Sequence, residues 1–289
     1  MKISLIIIIS FFFNLAANGM DKAKQEEKTG ILLVSFGTSY TSAQSALDHI
    51  EEQVRKTFPG IEVRWAFTSN VIRNIQKKRG RSVDSPAEAL AHMGADGFTK
   101  IAVQSLHVIP GKEFEDLQKT VAAFNHIPKN VQKIVLGKPL LSRHEDITET
   151  CAALKTILPA DRAPGDAIVM MGHGTSHESN IYYPGLQYYL WQQSPLVFLG
   201  TVEGYPGLKE IIAGLKDKKV KTVWLMPFMS VAGDHAQNDM AGDSPDSWKS
   251  QLGNAGFTVK PIIKGLGEYN AIDAIWINHL KEVFDELKN

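Results

Sequence analysis

The sequence predicts an α/β protein built from two similar, doubly wound parallel-sheet lobes with a ligand cleft between them. Three observations carry this. From Gly30 onward, short apolar runs alternate with longer amphipathic stretches, the pattern of βα units. The second half repeats the first in fixed order, as an internal duplication would. The composition is that of an ordinary globular protein, 44% hydrophobic and 21% charged over 289 residues, so a sizeable core can be buried.

In chain order, residues 1–19 come first, with one Lys, an apolar run from Ile3 to Phe13 and small residues up to Gly19. That layout reads as a secretory leader over the alternative of an uncleaved anchor helix, because the apolar run is shorter than the roughly 20 residues a membrane span needs. Cleavage is expected near Ala17 or Gly19, giving an exported, periplasmic mature chain with no stable membrane insertion. Polar residues 20–29 form a flexible tether; the lobes are then assigned to 30–148 and 149–289.

Within the first lobe, ILLVSFG is a strand, 41–57 a helix, EVRWAFT a second strand and KIAVQSLHV a third. Ser85, Pro86 and Glu88 form a capping-box helix start, and Gly97 closes that helix. A further helix near 145–157 lies between the halves. In the second lobe, DAIVMMGHGTSH (166–177) echoes GILLVSFGTSY (30–40), and PLVFLGTVEGY (195–205) echoes IEVRWAFTSNV (61–71). KTVWLMPFMSVAGDHAQNDM (221–240) echoes KIAVQSLHVIPGKEFEDL (100–117), with Gly233 falling on Gly111. KDKKVK (216–221) is a solvated helix end. The last stretch places Ile272, Ile275, Trp276, Leu280 and Phe284 at near-helical spacing, giving the second lobe a terminal amphipathic helix with His279 on its side.

Several function classes fall away. Lys plus Arg equals Asp plus Glu at 31 each, so no net field attracts nucleic acid, and any anionic ligand must be held by local groups. Cys151 is the only cysteine, which excludes an intramolecular disulfide and a cysteine-based zinc or redox site. The nucleophile elbow, the phosphate loop and the H-E-x-x-H motif are all missing. GHGTSH carries only the first two glycines of a dinucleotide fingerprint, with His177 in the third place.

Ligands of open α/β sheets bind at the carboxyl ends of the strands. Three residues of the second half sit at such ends, about one βα repeat apart: His173, Glu203 and His235. Two imidazoles and a carboxylate suit a borderline divalent ion such as Co, Fe, Ni or Zn. The competing reading of His173 is a hydrogen-bonded core histidine beside a glycine turn. In the first half the equivalents of His173 and His235 are Phe36 and Glu113, so the two rims face each other unequally. Glu113 also reads as a solvent-facing carboxylate at a helix start. An i, i+4 metal pair of His173 and His177 is opposed by Gly172 and Gly174. His49, His92 and His144 read as helix-surface or loop residues, and His107 and His126 as core or turn residues.

Together, SFGTSY, RWAFTSNVI, QSLHVIPGKEFE, GHGTSH, GTVEGYP and LMPFMSVAGDHAQNDMAGDSPDSWK resemble the anaerobic-pathway sirohydrochlorin cobaltochelatase family, of the class II tetrapyrrole chelatases. The resemblance runs from about Gly30 to the C-terminus. It implies a chelatase-like fold and delivery of Co(II), or else Fe(II) or Ni(II), into sirohydrochlorin or a related tetrapyrrole, a step of cobalamin biosynthesis. The ion is a substrate, and no organic cofactor is required. On the family pattern His173, Glu203 and His235 hold the metal, Glu113 matches a position linked to activity, and His173, His235 and Glu113 are the catalytic candidates. Phe36, Gly37, Thr38, Gly174 and Thr175 are expected to contact the macrocycle, with helix-start N–H groups after Thr38 and Thr175 meeting its carboxylates. Tyr182, Tyr183, Tyr188, Tyr189 and Trp191 are candidates to line the cleft, against a plain packing role. The leader resembles that of exported members of the family, which keeps a second reading open, an exported haem or metal carrier on the same fold. Homo-oligomerisation is also left open.

Overall fold

A computed structural model describes residues 27–127 and 131–288; the expected leader lies outside the described residues. The first half contains β1 (Thr29–Ser35), α1 (Gln44–Thr57), β2 (Glu62–Phe67), α2 (Asn70–Lys78), α3 (Pro86–Ala95), β3 (Lys100–Ser105), α4 (Lys112–Phe124) and β4 (Lys133–Gly137). A connecting helix, α5 (His144–Ile157), leads to the second half. There follow β5 (Ala167–Gly172), α6 (Tyr182–Gln193), β6 (Val197–Thr201), α7 (Leu208–Asp217), β7 (Thr222–Phe228), α8 (Trp248–Asn254), β8 (Thr258–Pro261) and α9 (Asn270–Glu286). Among the described residues no helix is long and apolar enough to cross a membrane.

The strands form two four-stranded parallel sheets with the same order, β2-β1-β3-β4 and β6-β5-β7-β8. Leu33 of β1 lies between Trp65 of β2 and Gln104 of β3. Met170 of β5 lies likewise between Leu199 and Met226. A parallel sheet covered on both faces needs apolar residues at successive positions, which is why ILLV and AIVMM read as unbroken runs. The capping box forms as expected: the Ser85 hydroxyl accepts from Glu88 N and the Glu88 carboxylate accepts from Ser85 N.

On the outer face of the first sheet, α3 and α4 bury Leu90, Met93, Leu117 and Val121 against Leu32, Val34 and Ile101. The second sheet is covered by α7 and α8 through Ile211, Leu215, Trp248 and Leu252. The inner faces share one core, in which α1, α5, α6 and α9 lie together. The terminal helix differs here from its expected place in the second lobe, since α9 packs against β3, β4, α5 and α1 of the chain's earlier part. The inner face of the second sheet already holds Tyr183, Leu186 and Leu190 of α6, whereas that of the first sheet offers open apolar surface to Ile272, Ile275, Trp276 and Leu280. The assigned boundary after residue 148 correspondingly falls inside α5.

Two buried polar pairs tie α9 down. His279, on the side of α9, is not solvent-facing but buried, with Nε2 3.0 Å from Asp146 Oδ1 and Nδ1 3.1 Å from the Lys138 carbonyl. His49 is no free surface histidine either: its Nδ1 lies 2.7 Å from Oδ2 of the buried Asp273 and 3.1 Å from the Gly267 carbonyl. Cys151 is buried in α5, and burial pushes its thiol up to about 11.

Candidate metal centre

The carboxyl edges of the two sheets face each other, and the expected trio converges on the second edge. His173 directly follows β5, Glu203 lies two residues past β6, and His235 opens a single π-helical turn (His235–Met240) after β7. One ligand atom from each residue lies within 4.8 Å of the others. The imidazole centroids of His173 and His235 are 4.6 Å apart with the rings at 84°. Glu203 is brought beside His173 because strand-like pairing continues past the sheet: Val202 N donates to Gly172 O at 3.1 Å and Glu203 N to His173 O at 2.8 Å.

The same nitrogen of each imidazole is left with a lone pair, while Glu203 Oε2 lies 3.8 Å from His173 Nδ1. His173 Nδ1 lies 2.8 Å from Gly174 O, and a carbonyl only accepts, so Nδ1 carries the hydrogen and Nε2 keeps its lone pair. His235 Nδ1 lies 2.5 Å from Asp239 Oδ2, four residues on, with the same consequence. Two unprotonated Nε2 atoms and a carboxylate give three donors, which leaves positions at an ion open to water or macrocycle nitrogens.

The glycines around His173 make room for the protein itself. A Cβ on Gly172 would lie 2.5 Å from the buried Tyr183 ring, so that tyrosine buttresses the loop from beneath, and does not line the cleft. Gly174 has φ +79°, and a Cβ there would lie 2.6 Å from Gly204 N. Asn180 clamps the His173 and Glu203 loops, accepting from Thr175 N at 3.2 Å and donating to Tyr205 O at 2.7 Å.

The first edge repeats this turn without the histidine. Gly37 takes φ +93° as Gly174 takes +79°. The Thr38 hydroxyl accepts from Tyr40 N at 3.1 Å, as the Thr175 hydroxyl accepts from His177 N at 3.1 Å. These N–H groups, and that of Thr175, are therefore already bonded, and the expected use of helix-start donors after the two threonines for substrate carboxylates does not hold for them. Phe36 occupies the His173 position, 42% exposed, with its ring centroid 6.3 Å from that of His173. Glu113 lies in the first turn of α4 and makes no hydrogen bond or ion pair among the described residues.

A pair of contacts related by the duplication straps the edges together. Tyr40 OH donates to Asp234 Oδ1 at 2.7 Å and accepts from Asn238 Nδ2 at 3.0 Å. In the mirrored position, His177 Nε2 lies 3.1 Å from Glu115 Oε1. Glu115, His177 and Glu178 also cluster closely enough to suggest an ion site. However, His177 Nδ1 accepts from Ser179 N at 3.2 Å, so Nε2 carries the hydrogen and donates to Glu115. That tautomer has no lone pair left for an ion, and the cluster acts as a strap.

A family model described as cobalt chelatase (CbiK) matches residues 29–285. The chain belongs to that family. A sirohydrochlorin cobaltochelatase of Nitratidesulfovibrio vulgaris, CbiKC, is 42% identical over 253 residues, covering 88% of this chain and 89% of the relative. The sirohydrochlorin cobaltochelatase of Salmonella typhimurium is 37% identical over 260 residues, covering 89% and 97%. Among solved structures, SirB from Bacillus subtilis with Fe3+ superposes with a TM-score of 0.58 at 16% identity, over 88% of this chain and 95% of that one. At such identity the likeness is one of fold, and it matches the two-lobed α/β architecture seen here.

In this CbiK-family chain, some of the site escaped sequence reasoning. Asp239 was detectable as the i+4 neighbour of His235 in DHAQND. The Tyr40–Asp234 and His177–Glu115 straps join residues too distant in sequence for any local signal. His107, at the end of β3, is kept neutral by burial, which lowers it to about 4. Its Nδ1 lies 2.9 Å from Ser105 Oγ, in accord with a core role.

Proposed function

We propose that the chain is a cobaltochelatase that inserts Co(II) into sirohydrochlorin, with His173, Glu203 and His235 receiving the ion. The observation that carries this is the convergence of three donor atoms within 4.8 Å on one edge, opposite the exposed Phe36 ring of the other, in a chain of the CbiK family. The three side chains hold a partly dehydrated ion. Its open positions then take the macrocycle nitrogens as the ring lies against Phe36. Two pyrrole N–H bonds break as two metal–nitrogen bonds form, so two protons must leave for each ion inserted. Glu113, unpaired among the described residues and on the facing edge, accepts one, and an imidazole released by the departing ion accepts the other. Asp239 steadies the imidazolium this creates at His235. The ion is consumed as substrate and the protein supplies no organic cofactor.

The test is a multiple-turnover assay of purified protein with metal-free sirohydrochlorin and Co(II), run beside Fe(II) and Ni(II). Repeated formation of cobalt product is expected. A protein that carries haem with a Soret band and turns nothing over would overturn the enzyme reading in favour of carriage. We further propose, on the leader-like residues 1–19, that the mature chain is exported and begins between about residues 18 and 24. N-terminal sequencing of the protein from fractionated host cells tests this, and an intact Met1 in the cytosolic fraction refutes it.

A further inference from the structure

The charge of this neutral chain is unevenly placed along its sequence. Between Glu62 and Asp84 the sequence has no acidic residue, yet Arg64, Arg73, Lys77, Lys78, Arg79 and Arg81 fall there. Arg64 is paired with Glu62 and Asp96. Among the described residues, none of the other five has a carboxylate partner.

Their helix is also unusually oriented. A helix following a parallel strand ordinarily runs back along the sheet, as α7 does after β6, burying Ile211 and Leu215. Instead, α2 lies across the carboxyl edge. Arg73, near its start, donates to Phe67 O at 2.6 Å and Thr68 O at 2.9 Å. Gln76 donates to Thr38 O at 2.7 Å, and Arg79, just past its end, donates to Ser39 O. Arg73 thus ties the helix to the end of β2, Gln76 and Arg79 grip the loop that carries Phe36, and α3 takes over the covering of the sheet. Ser39 adjoins Tyr40, whose hydroxyl reaches Asp234 beside His235, so Arg79 belongs to the same edge-to-edge assembly as the ligands. A guanidinium has five N–H donors in a planar fork, and Arg79 uses one on Ser39, leaving the others free for a carboxylate.

We propose that α2 is the carboxylate-binding edge of the cleft, where Arg79, flanked by Lys77, holds acidic side chains of the tetrapyrrole. The inference rests on the tetrapyrrole substrate proposed above and specifies how it is held. Sirohydrochlorin carries acetate and propionate groups around its rim. Anchoring them on the first edge turns the nitrogen core toward the ion on the second. This supplies the local cations that a zero net charge withholds from the molecule as a whole.

The experiment measures binding of metal-free sirohydrochlorin, by quenching of its fluorescence, to wild type, Arg79→Gln, Lys77→Gln, the double variant and Arg79→Lys. Steady-state cobalt insertion, Co(II) affinity and thermal midpoint are measured in parallel. Loss of a charge-assisted bond predicts that Arg79→Gln weakens binding about tenfold and raises the sirohydrochlorin KM to match. The double variant should lose more, Arg79→Lys should recover part, and kcat and Co(II) affinity should stay within about twofold. Lys216→Gln, at the far end of α7, should change nothing. The fully esterified tetrapyrrole should bind wild type and variants alike, since it has no charge to anchor. Variants that bind sirohydrochlorin as wild type does, or that lose the ester equally, overturn the proposal. Wild type that binds the tetrapyrrole through Arg79 but inserts no cobalt overturns the proposed activity and leaves this inference standing. Failure of wild type to bind at all overturns both.

Discussion

The two halves have the same strand order, the same Thr-anchored turn after the first strand, and a glycine at positive φ at the same place in that turn. They differ in what the turn displays. The first half offers Phe36 and a basic helix laid along its edge, and the second offers His173, Glu203 and His235. A duplicated scaffold therefore sets the geometry of both edges while a few substitutions divide the chemistry between them. Under the proposed mechanism one edge binds the ring and the other the ion. The straps show the same economy, since Tyr40 and His177 occupy equivalent positions and each crosses to the other half with different chemistry.

Removing the ligands should break the comparison most severely. His173→Ala or His235→Ala leaves two donors, so Co(II) affinity and insertion rate should each fall by at least about 100-fold, at or beyond the upper end of losses from outer-shell changes. The double variant should be scarcely worse than either single one, because residues acting as a unit give non-additive losses. Titration with Co(II), insertion kinetics and thermal midpoints of all three variants check this. Losses that simply multiply would mean that the histidines do not share one ion.

Asp239→Asn should come next, lowering Co(II) affinity about 10- to 100-fold without moving the thermal midpoint, because it weakens the bond that orients His235. Phe36→Ala should then separate the edges. Tetrapyrrole binding should weaken by roughly three- to tenfold, the scale of an aromatic contact, while Co(II) affinity stays unchanged. A lost metal site in that variant would show that the edges are not divided as described.

The smallest effect concerns α9, the segment of the second half that docks on the first. Burial pushes Asp273 up to about 8 from 3.8. The unfolded chain releases this proton near 3.8 and the folded chain holds it to about 8, so the stabilisation is complete below about pH 4 and is lost as pH rises toward 8. Asp273→Asn should flatten this slope, with a thermal midpoint that falls by a few degrees less than wild type between pH 5 and 8. Parallel melts of the two proteins across that range decide it, and identical slopes would show that Asp273 ionises freely in the folded chain.

Local and periodic features were legible from residues alone. The buried strands, the α3 capping box and the repeat each depend on neighbours within one strand, turn or half, where apolar runs and turn chemistry leave a readable pattern. The trio was also legible, since a parallel sheet brings successive strand ends to one edge whatever the helices between them do. What fills the space beside His173 was not legible, because the sequence shows that a Cβ is missing at Gly172 and Gly174 but not that Tyr183 and Gly204 take its place.

The sequence by itself determined two doubly wound halves and the side chains at their strand ends, because hydrophobic periodicity and the in-order repeat can be read within each βα unit. Only the tertiary structure decided that α9 crosses to the first sheet, that α2 grips the Phe36 loop through Gln76 and Arg79, and that Tyr40–Asp234 and His177–Glu115 hold the edges together. Each of these depends on which surface is still uncovered, or which polar group still lacks a partner, once the rest of the chain has packed. No stretch of sequence carries that information alone.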